Sequence, residues 1–153
     1  MVYVPDQVRT MNLFIDIDCV LLGKSPKTRS IVLANYAKEF LVYALQNFNC
    51  YWLTTHCKGS TETVIGYLKP YVDEEVMLLI RKIKPTNFKT FKTEALFGDF
   101  YWVDDQPTAY EILYLEENDL LNRWLQVNTR QSFDSLMDLI KFLKACDVTD
   151  QTF

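Results

Sequence analysis

Short apolar runs alternate along this chain with longer stretches in which apolar residues recur at helical spacing. The first run, Leu13-Phe14-Ile15-Asp16-Ile17-Asp18-Cys19-Val20-Leu21-Leu22, reads as a buried strand that ends in carboxylates. Gly23-Lys24-Ser25-Pro26-Lys27 reads as a loop. A helix is expected from about Ser30 to Phe48, with Leu33, Ala37, Leu41, Ala44, Leu45 and Phe48 on one face. Tyr51-Trp52-Leu53 forms a second short strand ending in Thr54-Thr55, and a helix near Thr61 to Leu68 follows, capped by Ser60 or Thr61. Between Asp73 and Pro85 the pattern suits either a helix or a strand, because periodicity does not separate the two over so short a run. A small helix opens near Lys92 or Thr93, and Tyr101 to Val103 is the next strand. Pro107 suits the first turn of the helix after it. Trp124 to Val127 gives a last strand, and a helix from Ser132 turns Leu136, Leu139, Ile140 and Leu143 inward.

Strands alternating with helices predict an α/β fold, a parallel sheet covered on both faces in three layers. Ligands of such sheets bind outside the carboxyl ends of the strands. Asp16, Asp18, Thr54, Asp104 and Asp105 all fall at expected carboxyl ends. Each residue alone has an ordinary explanation, since Asp is common where strands turn and at helix caps. Their convergence is the informative feature. Four carboxylates at the ends of two apolar strands repel one another unless a cation lies between them.

Composition narrows the picture. With 153 residues the chain fits one domain, and no repeat, low-complexity tract or linker divides it. Trp52, Trp102 and Trp124 fall in or beside the strands and read as core-filling rings. A net charge of −4 argues against a general nucleic-acid binder. The basic stretch Arg81, Lys82, Lys84, Lys89 and Lys92, interleaved with Phe88 and Phe91, reads as a solvated segment anchored by its rings, so nucleic acid is not the favoured partner. Cys19, Cys50, Cys57 and Cys146 form no Cys-x-x-Cys pair, and with His56 as the sole histidine a zinc site is not expected. Scattered thiols, the absence of a signal-like Met1 to Asp6 segment and the lack of a long apolar run point to a cytoplasmic protein without a membrane span.

The ordered set is Asp-x-Asp after strand one, Thr after strand two, Lys before a helix and Asp-Asp after a later strand. It resembles the haloacid dehalogenase superfamily, whose four motifs occur in this order. Residues 13–22 are similar to its first motif, Tyr51 to Thr54 to the second, Lys92 (or Lys89) to the third and Trp102 to Asp105 to the fourth. The resemblance implies a Rossmann-like hydrolase domain, and the short intervals before Thr54 and Lys92 leave no room for a sizeable cap. It also implies roles. Asp16 would be the nucleophile that forms an aspartyl phosphate, and Asp18 the acid and base. Thr54, Thr55 and Lys92 would hold the phosphoryl oxygens. Asp16, the backbone carbonyl of Asp18 and the acids Asp104 and Asp105 would hold Mg2+, with Asp105 as the direct ligand and Asp104 behind it. Asp at the second position marks phosphatases and phosphomutases within the superfamily, so a phosphomonoester of a small molecule or of a macromolecular end is the implied substrate.

Two other classes fit fewer of these residues. A metal-dependent nuclease of the PIN type also gathers carboxylates at strand ends, but works without a covalent intermediate. A receiver module needs its acidic pair early and its lysine last, the reverse of the order here. A non-catalytic interaction protein built on the same fold is the remaining alternative.

Overall fold

Leu13, Phe14 and Ile15 have no solvent exposure because the first strand lies inside the sheet, flanked on both edges. The computed structural model describes the backbone of residues 11–151 and the side chains of 11–146; the Met1 to Asp6 segment lies outside them. Strand β1 (Asn12–Ile15) pairs in parallel with β4 (Asn49–Trp52) on one side and β5 (Phe100–Asp104) on the other. β6 (Trp124–Gln126) pairs in parallel with β5, giving the order β4-β1-β5-β6. The architecture is α/β, a four-stranded parallel sheet flanked by helices.

Register sorts the side chains between two cores. Ile15 sits beside Trp52 and Val103, and Leu13 beside Cys50 and Tyr101; all face one layer. That layer also contains residues of α1 (Ala37–Asn47), α2 (Thr61–Leu68), α3 (Glu74–Ile80) and α5 (Ser135–Gln151). Phe14, beside Tyr51 and Trp102, faces the opposite layer with Phe88, Phe100 and Leu115, the last from α4 (Ala109–Glu117). The two-residue alternation of a strand thus builds a core on each face from one buried run. Trp52 and Trp102 are fully buried, and their indole N–H groups have no hydrogen-bond partner among the described residues. Ring packing at these positions outweighs the desolvation of one N–H each, a cost of about 1–3 kcal/mol.

The expected helix from Ser30 to Phe48 is shorter than its apolar spacing suggested. Ile31–Leu33 is strand β3, antiparallel to β2 (Leu22–Lys24), and only Ala37–Asn47 is helical. Gly23 and Lys24 therefore belong to a hairpin arm, and the turn lies at residues 25–30. There Ser25 N–H donates to the Ser30 carbonyl and Arg29 takes a φ of 62°. Ile-Val-Leu carries the β-branched signature of a strand, and the hairpin pairing overrides the coincidence of helical spacing.

Other boundaries resolve on capping chemistry. Asp73 accepts from the Val76 N–H at 2.9 Å, which makes the ambiguous stretch a helix, α3. Lys84, just after it, bridges to Tyr51 and extends the sheet by one residue. Pro107 is not in the first turn of α4; it precedes the cap Thr108, which forms a reciprocal capping box with Glu111. α5 starts at Ser135, three residues later than the pattern suggested, and Leu136, Leu139, Ile140 and Leu143 are buried as expected. Among the described residues no helix is long and apolar enough to cross a membrane.

Candidate active site

β1 delivers Asp16 at the point where the ladder ends. The Asp16 N–H still donates to the Val103 carbonyl, 3.1 Å away, after which the chain coils tightly. The N–H groups of Val20, Leu21 and Leu22 all converge on the Ile17 carbonyl, and Cys19 has a φ of 65°. This one turn separates Asp16 and Asp18 in direction although only Ile17 lies between them.

Asp16 joins the acids of β5. One carboxylate oxygen from each of Asp16, Asp104 and Asp105 lies within 4.8 Å of the others. Lys92 enters the same cluster from a one-turn 3-10 helix (Lys92–Ala95), with its Nζ 3.0 Å from Asp16 Oδ2 and 2.7 Å from Asp104 Oδ2. Lys92, not Lys89, is thus the lysine of this cluster. Lys89 is exposed, and its backbone N–H donates to Glu94.

Charge in the cluster is only partly balanced. Burial, then the neighbouring charge of Asp104, pushes the Asp16 carboxyl up to about 6, against the opposing pull of Lys92. Burial also holds Asp104 above the usual carboxylate range, again with Lys92 opposing. On Lys92 burial favours the neutral amine, but the two carboxylates outweigh it and its pKa is raised. A buried group of hard oxygen donors that one ammonium leaves under-neutralised fits a small divalent cation. Asp104 has both oxygens engaged, Oδ2 with Lys92 and Oδ1 with the Gln106 N–H at 3.0 Å. Asp105 has the freer carboxylate.

Asp18 contributes no carboxylate oxygen to the Asp16, Asp104 and Asp105 group. Its side chain instead meets two partners the sequence pattern left unconnected. Tyr67 of α2 donates to Oδ1 at 2.5 Å, and His56 Nε2 lies 2.7 Å from Oδ2. The His56 and Tyr67 rings stack with centroids 3.6 Å apart, so each fixes the other. Burial alone would raise the Asp18 pKa; the Tyr67 and His56 hydrogen bonds and the charges of His56 and Arg130 outweigh it and lower the value. Tyr67 itself is pushed up to about 12 by burial and by Asp18, so it remains a donor. Cys19, beside Asp18, is pushed up to about 11 by burial and Asp105, which disqualifies it as a thiolate nucleophile.

Thr54 is buried at the end of β4, and its Oγ1 accepts from the His56 N–H at 3.3 Å. Thr55 is exposed. Glu111, 3% exposed, holds the lysine segment: Oε2 accepts from the Lys92 N–H at 2.5 Å while Oε1 accepts from the Thr108 N–H at 2.8 Å. The Thr-x-x-Glu spacing that opens α4 is a capping signature legible in the sequence, although the apolar pattern and the acidic pairs did not single out Glu111. No such signal marks Tyr67, which reaches Asp18 only because α2 packs where it does. Compared with family models, curated proteins and solved structures, the chain matches none.

Proposed function

We propose that this protein is a phosphomonoester hydrolase of the haloacid dehalogenase type, a capless phosphatase with Asp16 as its nucleophile. The observation that carries the reading is the Lys92 ammonium spanning Asp16 and Asp104 beside Asp105, with Asp18 turned to a separate pair of partners. One carboxylate is held where it can attack and another where it can handle protons. That division of labour is what covalent phosphoryl transfer requires.

In the first half-reaction an Asp16 oxygen bonds to phosphorus as the bond from phosphorus to the leaving oxygen breaks. The leaving oxygen takes a proton from Asp18. Asp18 rests ionised, so it must first acquire that proton, and His56 lies close enough to supply it. In the second half-reaction water bonds to phosphorus, the bond to Asp16 breaks, and Asp18 accepts the water's proton and passes it back across the 2.7 Å contact to His56. The net change is ester plus water to alcohol plus phosphate. Lys92 holds Asp16 in line and offers positive charge to the phosphoryl oxygens, and Thr54 offers them a hydroxyl. Mg2+ held by Asp16, Asp105 and the Asp18 carbonyl would offset the carboxylate charge and draw electron density from the phosphoryl group.

The test is hydrolysis of a generic aryl phosphate, with and without EDTA, by the wild type and by Asp16→Asn. Metal-dependent turnover, lost in the variant, together with an acid-stable, hydroxylamine-sensitive phosphoryl group on the wild type, is the expected result. Cleavage of oligonucleotides with no phosphoenzyme would replace this reading with that of a nuclease.

A further inference from the structure

Arg130 follows a loop that the fold ties to the turn carrying Asp18. The loop after β6 is bonded to the turn after β1 through its neighbour Thr129. The Thr129 N–H donates to the Cys19 carbonyl at 2.7 Å, Thr129 Oγ1 donates to the Leu22 carbonyl at 3.3 Å, and the Thr129 carbonyl accepts from the Lys24 N–H at 3.4 Å. Gly23 packs so closely there that a Cβ would lie 2.7 Å from the Thr129 carbonyl oxygen. The Asn128 side chain accepts from the Arg130 N–H at 3.1 Å and fixes the backbone at that residue. The backbone geometry thus sets Arg130 one residue from the contact between Thr129 and Cys19, beside the turn that carries Asp18, and its positive charge acts in the same direction on Asp18, Cys19 and Tyr67.

The side chain is exposed and makes no ion pair with any described residue. Lys92 is fully engaged between two carboxylates, and Lys92 together with a divalent cation supplies three positive charges against Asp16, Asp18, Asp104 and Asp105. A phosphate dianion entering this field gains from a further cation. The Asp18 side, where Arg130 stands with Tyr67, is the side toward which the leaving oxygen must point if Asp18 protonates it. A planar guanidinium there matches the paired oxygens of a phosphate or carboxylate.

We propose that Arg130 binds a second anionic group on the leaving alcohol, so that the favoured substrates are phosphomonoesters whose alcohol carries a further phosphate or carboxylate. This substrate class rests on the phosphatase reading above. The discriminating measurement uses matched pairs, 3-phosphoglycerate against glycerol 3-phosphate and adenosine 3′,5′-bisphosphate against adenosine 5′-monophosphate. The ratio of kcat/KM within each pair is taken for the wild type, Arg130→Gln and Arg130→Lys, and the Kd of each compound is measured calorimetrically on Asp16→Asn with and without Arg130→Gln. The wild type is expected to prefer the more anionic member, and Arg130→Gln to reduce that preference about tenfold to hundredfold, with part of it restored in Arg130→Lys. A response in the carboxylate pair alone or the bisphosphate pair alone names the anion that Arg130 takes. Preference unchanged by Arg130→Gln overturns the proposal while leaving the phosphatase reading intact. Arg130-dependent binding without hydrolysis supports the anion site and defeats the phosphatase reading. Neither binding nor hydrolysis of any of the compounds defeats both.

Discussion

Replacing Asp16 with asparagine is expected to abolish turnover and yet make the metal-free protein more stable. The reasoning starts from the raised carboxyl. Its pKa moves from the ordinary 3.8 to about 6, because burial and Asp104 oppose the charged form more than Lys92 favours it. A carboxyl raised in the folded state binds its proton more tightly folded than unfolded. At pH below 3.8 both states are protonated and the site costs nothing. As pH rises from 3.8 to 6 the folded protein increasingly pays for an ionised group it holds badly, and above 6 the cost is constant. A shift of this size corresponds to about 3 kcal/mol. Asparagine removes the charge, keeps an oxygen for the Ile17 N–H that Asp16 now accepts at 2.8 Å, and leaves Lys92 with Asp104. Urea unfolding in EDTA is therefore expected to favour Asp16→Asn by on the order of 3 kcal/mol at pH 7.5, roughly 6–12 °C in Tm, and to show little difference at pH 4. Added magnesium is expected to stabilise the wild type and narrow the gap. A variant less stable than the wild type at pH 7.5, or a gain that is the same at both pH values, would refute the account of unbalanced charge.

The partners of this cluster give further expectations. Lys92→Met leaves Asp16 and Asp104 facing each other without their cation, and a loss of about 3–5 kcal/mol in urea midpoints measured in EDTA is expected, alongside loss of turnover. Tyr67→Phe removes the hydroxyl that donates to Asp18 and helps keep that carboxylate ionised, so the alkaline limb of the kcat/KM profile, where Asp18 must still deliver a proton to the leaving oxygen, is expected to move to higher pH; an unmoved limb would detach Tyr67 from the chemistry. Gly23→Ala drives a Cβ against the backbone oxygen of Thr129, which has no side-chain freedom to retreat, and a loss of about 1–3 kcal/mol in thermal or urea unfolding is expected. Glu111→Gln exchanges one acceptor oxygen for an amide that donates, against two N–H donors already in place, and a lower kcat with Lys92 misplaced is the expected readout.

Sequence pattern alone carried the parallel α/β layout and the grouping of Asp16, Asp104 and Asp105, because both follow from local rules. A strand buried on both faces must be apolar throughout, and whatever polar residue ends it lies at the sheet's carboxyl edge. Adjacent parallel strands then bring their terminal acids together with no further instruction. The choice of Lys92 over Lys89 was open in the sequence, since two lysines so close in the chain differ only in which way each side chain turns. Only the packed fold made it, through the Glu111 carboxylate that holds the Lys92 backbone. The hairpin at Leu22–Lys24 and Ile31–Leu33 was hidden because helical spacing and strand composition coincide in Ile-Val-Leu, and the pairing partner decides. The surroundings of Asp18 lay wholly beyond local pattern. His56, Tyr67 and Arg130 come from three separate segments, and they meet because the sheet and the helices covering it fix where those segments end. Periodicity and strand-end position are properties of neighbours along the chain, whereas proton-handling partners and charge balance depend on distances that exist only after packing.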